Sequence, residues 1–163
     1  MAMSSDGSMA TAVWIDGTAG HNVIKTASAT IAGRVGSWGV TQTLIDPIDH
    51  DAEAPDIALS ADGTKATVVW DVAHNSNVDV SASSATIVGN VATWSEPTLI
   101  GPQIGNLSPH PDVALSADGT TAVVAYRTSV SNYSGLVTKA AKIVGNVATW
   151  ESESHDLTAV NGR

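Results

Sequence analysis

The sequence predicts an all-β protein built from three copies of one four-stranded antiparallel sheet. A repeat, its turn chemistry and its composition carry that prediction. "PDIALSADGTKATVVW" at residues 55–70 returns as "PDVALSADGTTAVVAY" at 111–126, and a blurred copy, "MAMSSDGSMATAVW", opens the chain. The register is strict. Asp6, Asp62 and Asp118 lie 56 residues apart, and the same step carries Trp14 to Trp70 to Tyr126. Gly33, Gly89 and Gly145 follow it, as do Trp38, Trp94 and Trp150. "IVGNVATW" recurs letter for letter at 87–94 and 143–150, with "IAGRVGSW" at 31–38 as its first copy. A period this long, with several turn signals inside each unit, marks a repeat architecture. No segment sustains a 3.6-residue apolar period, which excludes helical repeats.

Within the second unit each strand has its own signal. "DIALS" is short and apolar, and the Asp-Gly pair of "ADGT" suits a tight hairpin. "KATVVWDV" follows, then the polar loop "AHNSN", then "VDVSASSATIV" with partial alternation. "GN" makes the next turn and "VATWSEPTLI" closes the unit. The runs "IAL" and "ATVVW" are apolar at consecutive positions, so both faces of the sheet are expected to be covered. A four-stranded antiparallel sheet repeated radially, each face on a neighbour, is a β-propeller blade. A two-sheet sandwich gives no reason for a fixed period. The blades are expected at about 1–47, 55–102 and 111–160 of a single repeat domain. Ala58, Ala66, Ala114 and Ala122 suit the crowded end near the axis, and the recurrent Trp and Tyr residues are expected to pack between blades.

Composition narrows the partners. Seven Lys and Arg against sixteen Asp and Glu leave a net charge of −9, opposite to what nucleic acid or an anionic membrane surface needs. Phe and Cys are absent, so neither a disulfide nor a thiolate metal site is available. There is no run of eighteen apolar residues to span a membrane, and the N-terminus lacks the charged-then-apolar layout of a secretory signal.

The series Asp62, Gly63, Ala66 and Trp70, followed by Trp94, Ser95 and Pro97, resembles blade repeats of bacterial β-propellers, including sialidase-like and lectin-like ones. In the first and third units Gly39 and Glu151 replace the Ser, and Thr41 and Glu153 stand where the Pro stood. The resemblance implies blades. The sialidase aspartate box has a residue between Asp and Gly, which Asp62-Gly63 lacks. Sialidases also use an arginine triad, and the arginines here, Arg34, Arg127 and Arg163, sit at unmatched positions. Their activity is therefore not expected.

Binding is expected where the periodicity breaks. The loops after the second strands hold His21, Asn22, His74, Asn75, Asn77, Asn132 and Tyr133. Amide and imidazole groups hydrogen-bond hydroxyls, and a tyrosine ring stacks on a pyranose, so glycans are the expected ligands. The acidic segment "IDPIDHDAEAPD" is a second break, in which Asp49, Asp51 and Glu53 offer carboxylates at alternate positions to a calcium ion. His50, His110 and His155 lack zinc-ligand spacing. No phosphate loop or nucleophile elbow is present. Three functions compete: a lectin-like binding module, a self-assembling structural unit, and a fragment of a glycoside-processing enzyme. The chain opens on "MAM", aligned with "IAL" of 57–59, and its last residues fall about where another "PD" would start. Three blades are too few for a ring, since propellers use about four to eight. Two copies are therefore expected to close a six-bladed propeller as a homodimer.

Overall fold

In a computed structural model of the chain, the described residues are 1–18, 21–44, 51–74, 77–101, 104–105, 109–130 and 133–157. They form three antiparallel sheets in succession. Sheet 1 contains β1 (Ala2–Met3), β2 (Met9–Thr18), β3 (His21–Ala32), β4 (Val35–Trp38) and β5 (Gln42–Thr43). Sheet 2 contains β6 (Asp51–Leu59), β7 (Lys65–His74), β8 (Asn77–Val88), β9 (Val91–Trp94), β10 (Thr98–Leu99) and β11 (Ile104–Gly105). Sheet 3 contains β12 (Asp112–Leu115), β13 (Thr121–Val130), β14 (Tyr133–Val144), β15 (Val147–Trp150) and β16 (His155–Asp156). Among the described residues there is no helix, so none long and apolar enough to cross a membrane.

Neighbouring strands pair in chain order, as consecutive hairpins require. The fourth strand of each unit is interrupted: β9 and β10 both pair with β8. Pro97, which has no N–H to give a ladder, lies in the gap between them. The first strand of sheet 2 starts earlier than its apolar run, because β6 reaches back to Asp51 in the acidic segment. Its pairing with β7 slips between Glu53 and Asp56, where Ala54 has φ +46° and Pro55 follows. His110, one repeat later and also followed by a proline, has φ +47°.

Two apolar clusters fill the spaces between sheets. Trp70, Val68 and Val72 pack toward sheet 1, against Ile24 and Leu44. Val69, Val80 and Ala82 pack toward sheet 3, against Val124, Tyr126 and Val137. Alternate residues of β7 therefore enter opposite clusters, which is why its apolar run has no gaps. Sheet 2 is covered on both faces; sheets 1 and 3 each have one covered face. Trp70 and Tyr126 are fully buried, and Trp94 and Trp150 pack against the clusters, as expected of interblade aromatics. Trp14 and Trp38 depart from that expectation. They lie on the face of sheet 1 that no neighbour covers, and Trp38 is 48% exposed. Of the alanines, Ala66 and Ala122 are buried, while Ala114 faces outward on sheet 3.

One joint is made twice. The Ser5 N–H donates to the Ala61 carbonyl at 2.8 Å, and the Ala61 N–H donates to the Ala117 carbonyl at 2.9 Å. The Asn90 side-chain amide donates to the Ser37 carbonyl, and Asn146 repeats the contact on Thr93, each at 3.3 Å. Gly63 and Gly119 press on the preceding sheet: a Cβ on either would lie 2.5 Å from Met9 or Lys65, respectively. Both have left-handed φ, so only glycine meets both demands there. The step from sheet 1 to sheet 2 is thus repeated from sheet 2 to sheet 3. The series of three sheets does not close on itself.

Candidate functional site

Each long hairpin closes over two residues, between the pairs Thr18 and His21, His74 and Asn77, and Val130 and Tyr133. His21, Asn77 and Tyr133 therefore open equivalent strands, and the three hairpins lie at corresponding ends of their sheets. Of the expected ligand-binding residues, the backbones of His21, Asn22, His74, Asn77 and Tyr133 lie at these ends. Asn75 and Asn132 lie outside the described residues, and for His21, His74, Asn77 and Tyr133 the backbone alone is described. Asn22 is half-buried, and its N–H donates to Asp51 Oδ1 at 2.9 Å.

That bond gives Asp51 a structural task, tying the first strand of sheet 2 to the hairpin of sheet 1. Glu53 is exposed, and Asp49 lies outside the described residues. Among the described residues no three His, Asp or Glu side chains gather as metal ligands.

At the other end of the sheets, Asp6, Asp62 and Asp118 organise the Asp-Gly turns. Asp62 Oδ1 accepts from the Ser60 hydroxyl at 2.8 Å, the Thr64 N–H at 3.0 Å and the Thr64 hydroxyl at 2.8 Å. Asp6 and Asp118 repeat the pattern with Ser4 and Ser8, and with Ser116 and Thr120. These donors favour the ionised carboxylate, beginning with the Ser8 N–H, and bring Asp6 down to about 2. Asp62 and Asp118 are lowered for the same reason. Turn chemistry accounts for all three aspartates.

A carboxylate pair, Asp56 and Asp112, bridges the first strands of sheets 2 and 3. Asp56 Oδ2 accepts the Val113 N–H at 2.9 Å. The neighbouring Asp112 is raised above the ordinary carboxylate range, first by its hydrogen bond to Asp56, then by desolvation and by the Asp56 charge. These causes favour the protonated form of Asp112. Asp71, buried on the same face of sheet 2, accepts the His110 N–H through Oδ2 at 3.2 Å.

Sequence reasoning missed the grooves between sheets. One of about 460 Å³ lies between sheets 1 and 2, lined by Thr43, Leu44, Thr93, Trp94 and Glu96. Another, of about 590 Å³, lies between sheets 2 and 3, where Leu99, Ile100, Lys139, Ser152 and Glu153 line it. Leu99 and Ile100 stand one repeat after Thr43 and Leu44, so the two openings belong to one repeated joint. The divergence of "SEP" at 95–97 from "ESE" at 151–153 was the available signal. Comparison with known proteins finds no family model, no curated protein and no solved structure that matches the chain.

Proposed function

We propose that the chain is a non-enzymatic, self-associating β-propeller module with a lectin-like binding rim. In its 163-residue form it closes with a second copy into a six-bladed ring. One observation carries the reading: the outward faces of sheets 1 and 3 continue the faces that are buried within the arc. Trp14 occupies the position of the buried Trp70 and Tyr126. In sheets 1 and 2 the hydroxyls of Thr11 and Ser28, and of Thr67 and Ser84, hydrogen-bond at 3.0 Å inside the joints. Sheet 3 has Val123 and Ala140 at those positions, an apolar pair on a face without a neighbour. Apolar residues on such a face stabilise a molecule only when something covers them. Light scattering at low micromolar concentration is the test. Twice the chain mass supports the ring, and a folded, monodisperse monomer refutes it.

The lectin-like part rests on the hairpin rim, where His21, Asn77 and Tyr133 give three equivalent positions three different side chains. Polar, divergent groups on a repeated frame suit weak multivalent binding of neutral glycans. A glycan screen with the native chain and Tyr133→Ala tests it. Binding to no glycan discards this part and leaves a structural self-assembling unit.

A further inference from the structure

The repeated joint dictates which atoms must meet if a second copy covers sheet 3. This inference rests on the ring reading above and deepens it by naming the register. We propose that the outward face of sheet 3 receives the outward face of sheet 1 from a second copy, one further 56-residue step along, so that each contact of the internal joints recurs with the partner's residues.

Four contacts define the register. Asp56 accepts the N–H of Val113, 57 positions on; the same offset from Asp112, less three repeats of 56, leads to the α-amino nitrogen of Met1. The rungs from Ser5 to Ala61 and from Ala61 to Ala117 continue from the Ala117 N–H to the Ser5 carbonyl of the second copy. Asn90 and Asn146 reach back to Ser37 and Thr93, so Arg34 reaches back to the Thr149 carbonyl. Gly63 and Gly119 press on Met9 and Lys65, so Gly7 presses on Thr121.

The free halves of these contacts are ready for use. Gly7 already has φ +74°, close to the +75° and +68° of Gly63 and Gly119. Its nearest neighbour for an added Cβ is the Met3 sulfur, at 3.9 Å, so the space filled by the preceding sheet at Gly63 and Gly119 is open there. The joint also differs chemically from the internal ones. Arg34 replaces Asn90 and Asn146, a longer donor with a fixed charge, and Val123 and Ala140 replace a hydroxyl pair. On the sheet 1 side Lys25 and Asp16 form an ion pair beside Trp14, on the edge of the apolar surface. A face that is apolar at its centre and charged at its edges matches the usual anatomy of a specific protein interface. Because each copy carries both faces, a two-fold axis satisfies both at once, whereas a non-closing rotation would propagate.

Crosslinking reads the register directly, since the chain has no cysteine of its own. In S5C/A117C the two thiols lie in different copies; in A61C/A117C the equivalent pair lies within one. Oxidation should convert S5C/A117C to a covalent dimer, while A61C/A117C closes at monomer mass. A native chain that is dimeric by light scattering, with A61C/A117C closing and S5C/A117C not, overturns the register and leaves the ring standing. A ladder of higher multiples overturns closure by a single second copy. A monomeric native chain overturns the ring itself. Val123→Glu provides a readout free of thiol geometry: a charge inside the joint should weaken dimerisation about a hundredfold or more, while Val88→Glu, at the end of β8 and 81% exposed, leaves it unchanged. A Val123→Glu chain that dimerises normally also overturns the proposal.

Discussion

Replacing Trp70 with alanine tests the packing between sheets most directly. The indole is fully buried in the cluster that joins sheets 1 and 2, beside Ile24, Val68 and Val72. A buried aromatic removes about 150–250 Å² from water, worth roughly 4–6 kcal/mol at about 25 cal/mol per Å². Two terms reduce that figure. Alanine keeps one methyl group in place, and the Trp70 Nε1 has no hydrogen-bond partner among the described residues, so removing it relieves about 1–3 kcal/mol of desolvation cost. The cavity left behind adds a cost in the other direction, and a net loss of about 3–5 kcal/mol is expected, the usual range for large-to-small aromatic changes in a core. Urea unfolding followed by circular dichroism measures it through the shift in midpoint at constant slope. Trp38→Ala is the matched control, because that ring is 48% exposed within one copy. Its cost should grow with protein concentration if a second copy covers it, whereas the cost of Trp70→Ala is also felt within one copy. An unchanged midpoint for Trp70→Ala would refute the assignment of β7 to the inter-sheet space.

Other outcomes follow from the same geometry. Tyr126→Phe should be neutral or stabilising by up to about 1 kcal/mol in urea unfolding, because the hydroxyl is buried with no partner among the described residues and burial already pushes its pKa up; a clear loss would mean that it is bonded. Gly119→Ala should cost more than Gly145→Ala. Both residues have left-handed φ, worth about 1–2 kcal/mol in strain, but only at Gly119 does the new Cβ meet a neighbouring sheet, and thermal melts of the two should differ accordingly. Stability should depend on pH with two signs. Asp6, Asp62 and Asp118 are lowered in the folded state, so their contribution is full above the ordinary value of 3.8 and is lost as pH falls through the folded values, near 2 for Asp6. Asp112 is raised, so its contribution is full below 3.8 and is lost as pH rises through its folded value. Unfolding midpoints from pH 2 to 7 should show Asp118→Asn flattening the acid limb and Asp112→Asn removing the opposing slope; profiles parallel to wild type would contradict both assignments.

Much of the fold was legible because the signals are local. Asp62-Gly63 and Gly89-Asn90 are turn pairs that set hairpins by backbone conformation, and the unbroken apolar run of β7 announced a sheet covered on both faces. The start of β6 was hidden for a physical reason. Asp51 and Glu53 fall in the acidic segment before the apolar run at 56–60, yet Asp51, like Asp56, accepts an N–H from a neighbouring sheet. The half-burial of Trp14 and the exposure of Trp38 were equally invisible, since the period assigns them the environment of Trp70 and Trp94 and says nothing of which face lacks a neighbour. For the candidate site, His21, Asn77 and Tyr133 share one register position and lie one 56-residue step apart, so their spacing was legible and only their unlike side chains concealed it.

The two ends of the sheets divide the work. At the Asp-Gly end, serine, aspartate, glycine and a hydroxyl residue recur in all three units, and the backbone rungs between neighbouring sheets lie there. A change at this end would disturb a turn and a joint together. At the hairpin end the links between sheets run through Asp51 and Asp71, whose equivalents one repeat later are Leu107 and Arg127. Those links are made once and differently, so this end is not bound by the step that the joints impose. A ligand needs side chains that can change without loss of the frame, and only the hairpin end meets that condition. On the proposed reading, variation among His21, Asn77 and Tyr133 should therefore alter glycan binding while leaving the proposed assembly intact, and variation at Asp6, Asp62 or Asp118 should do the reverse.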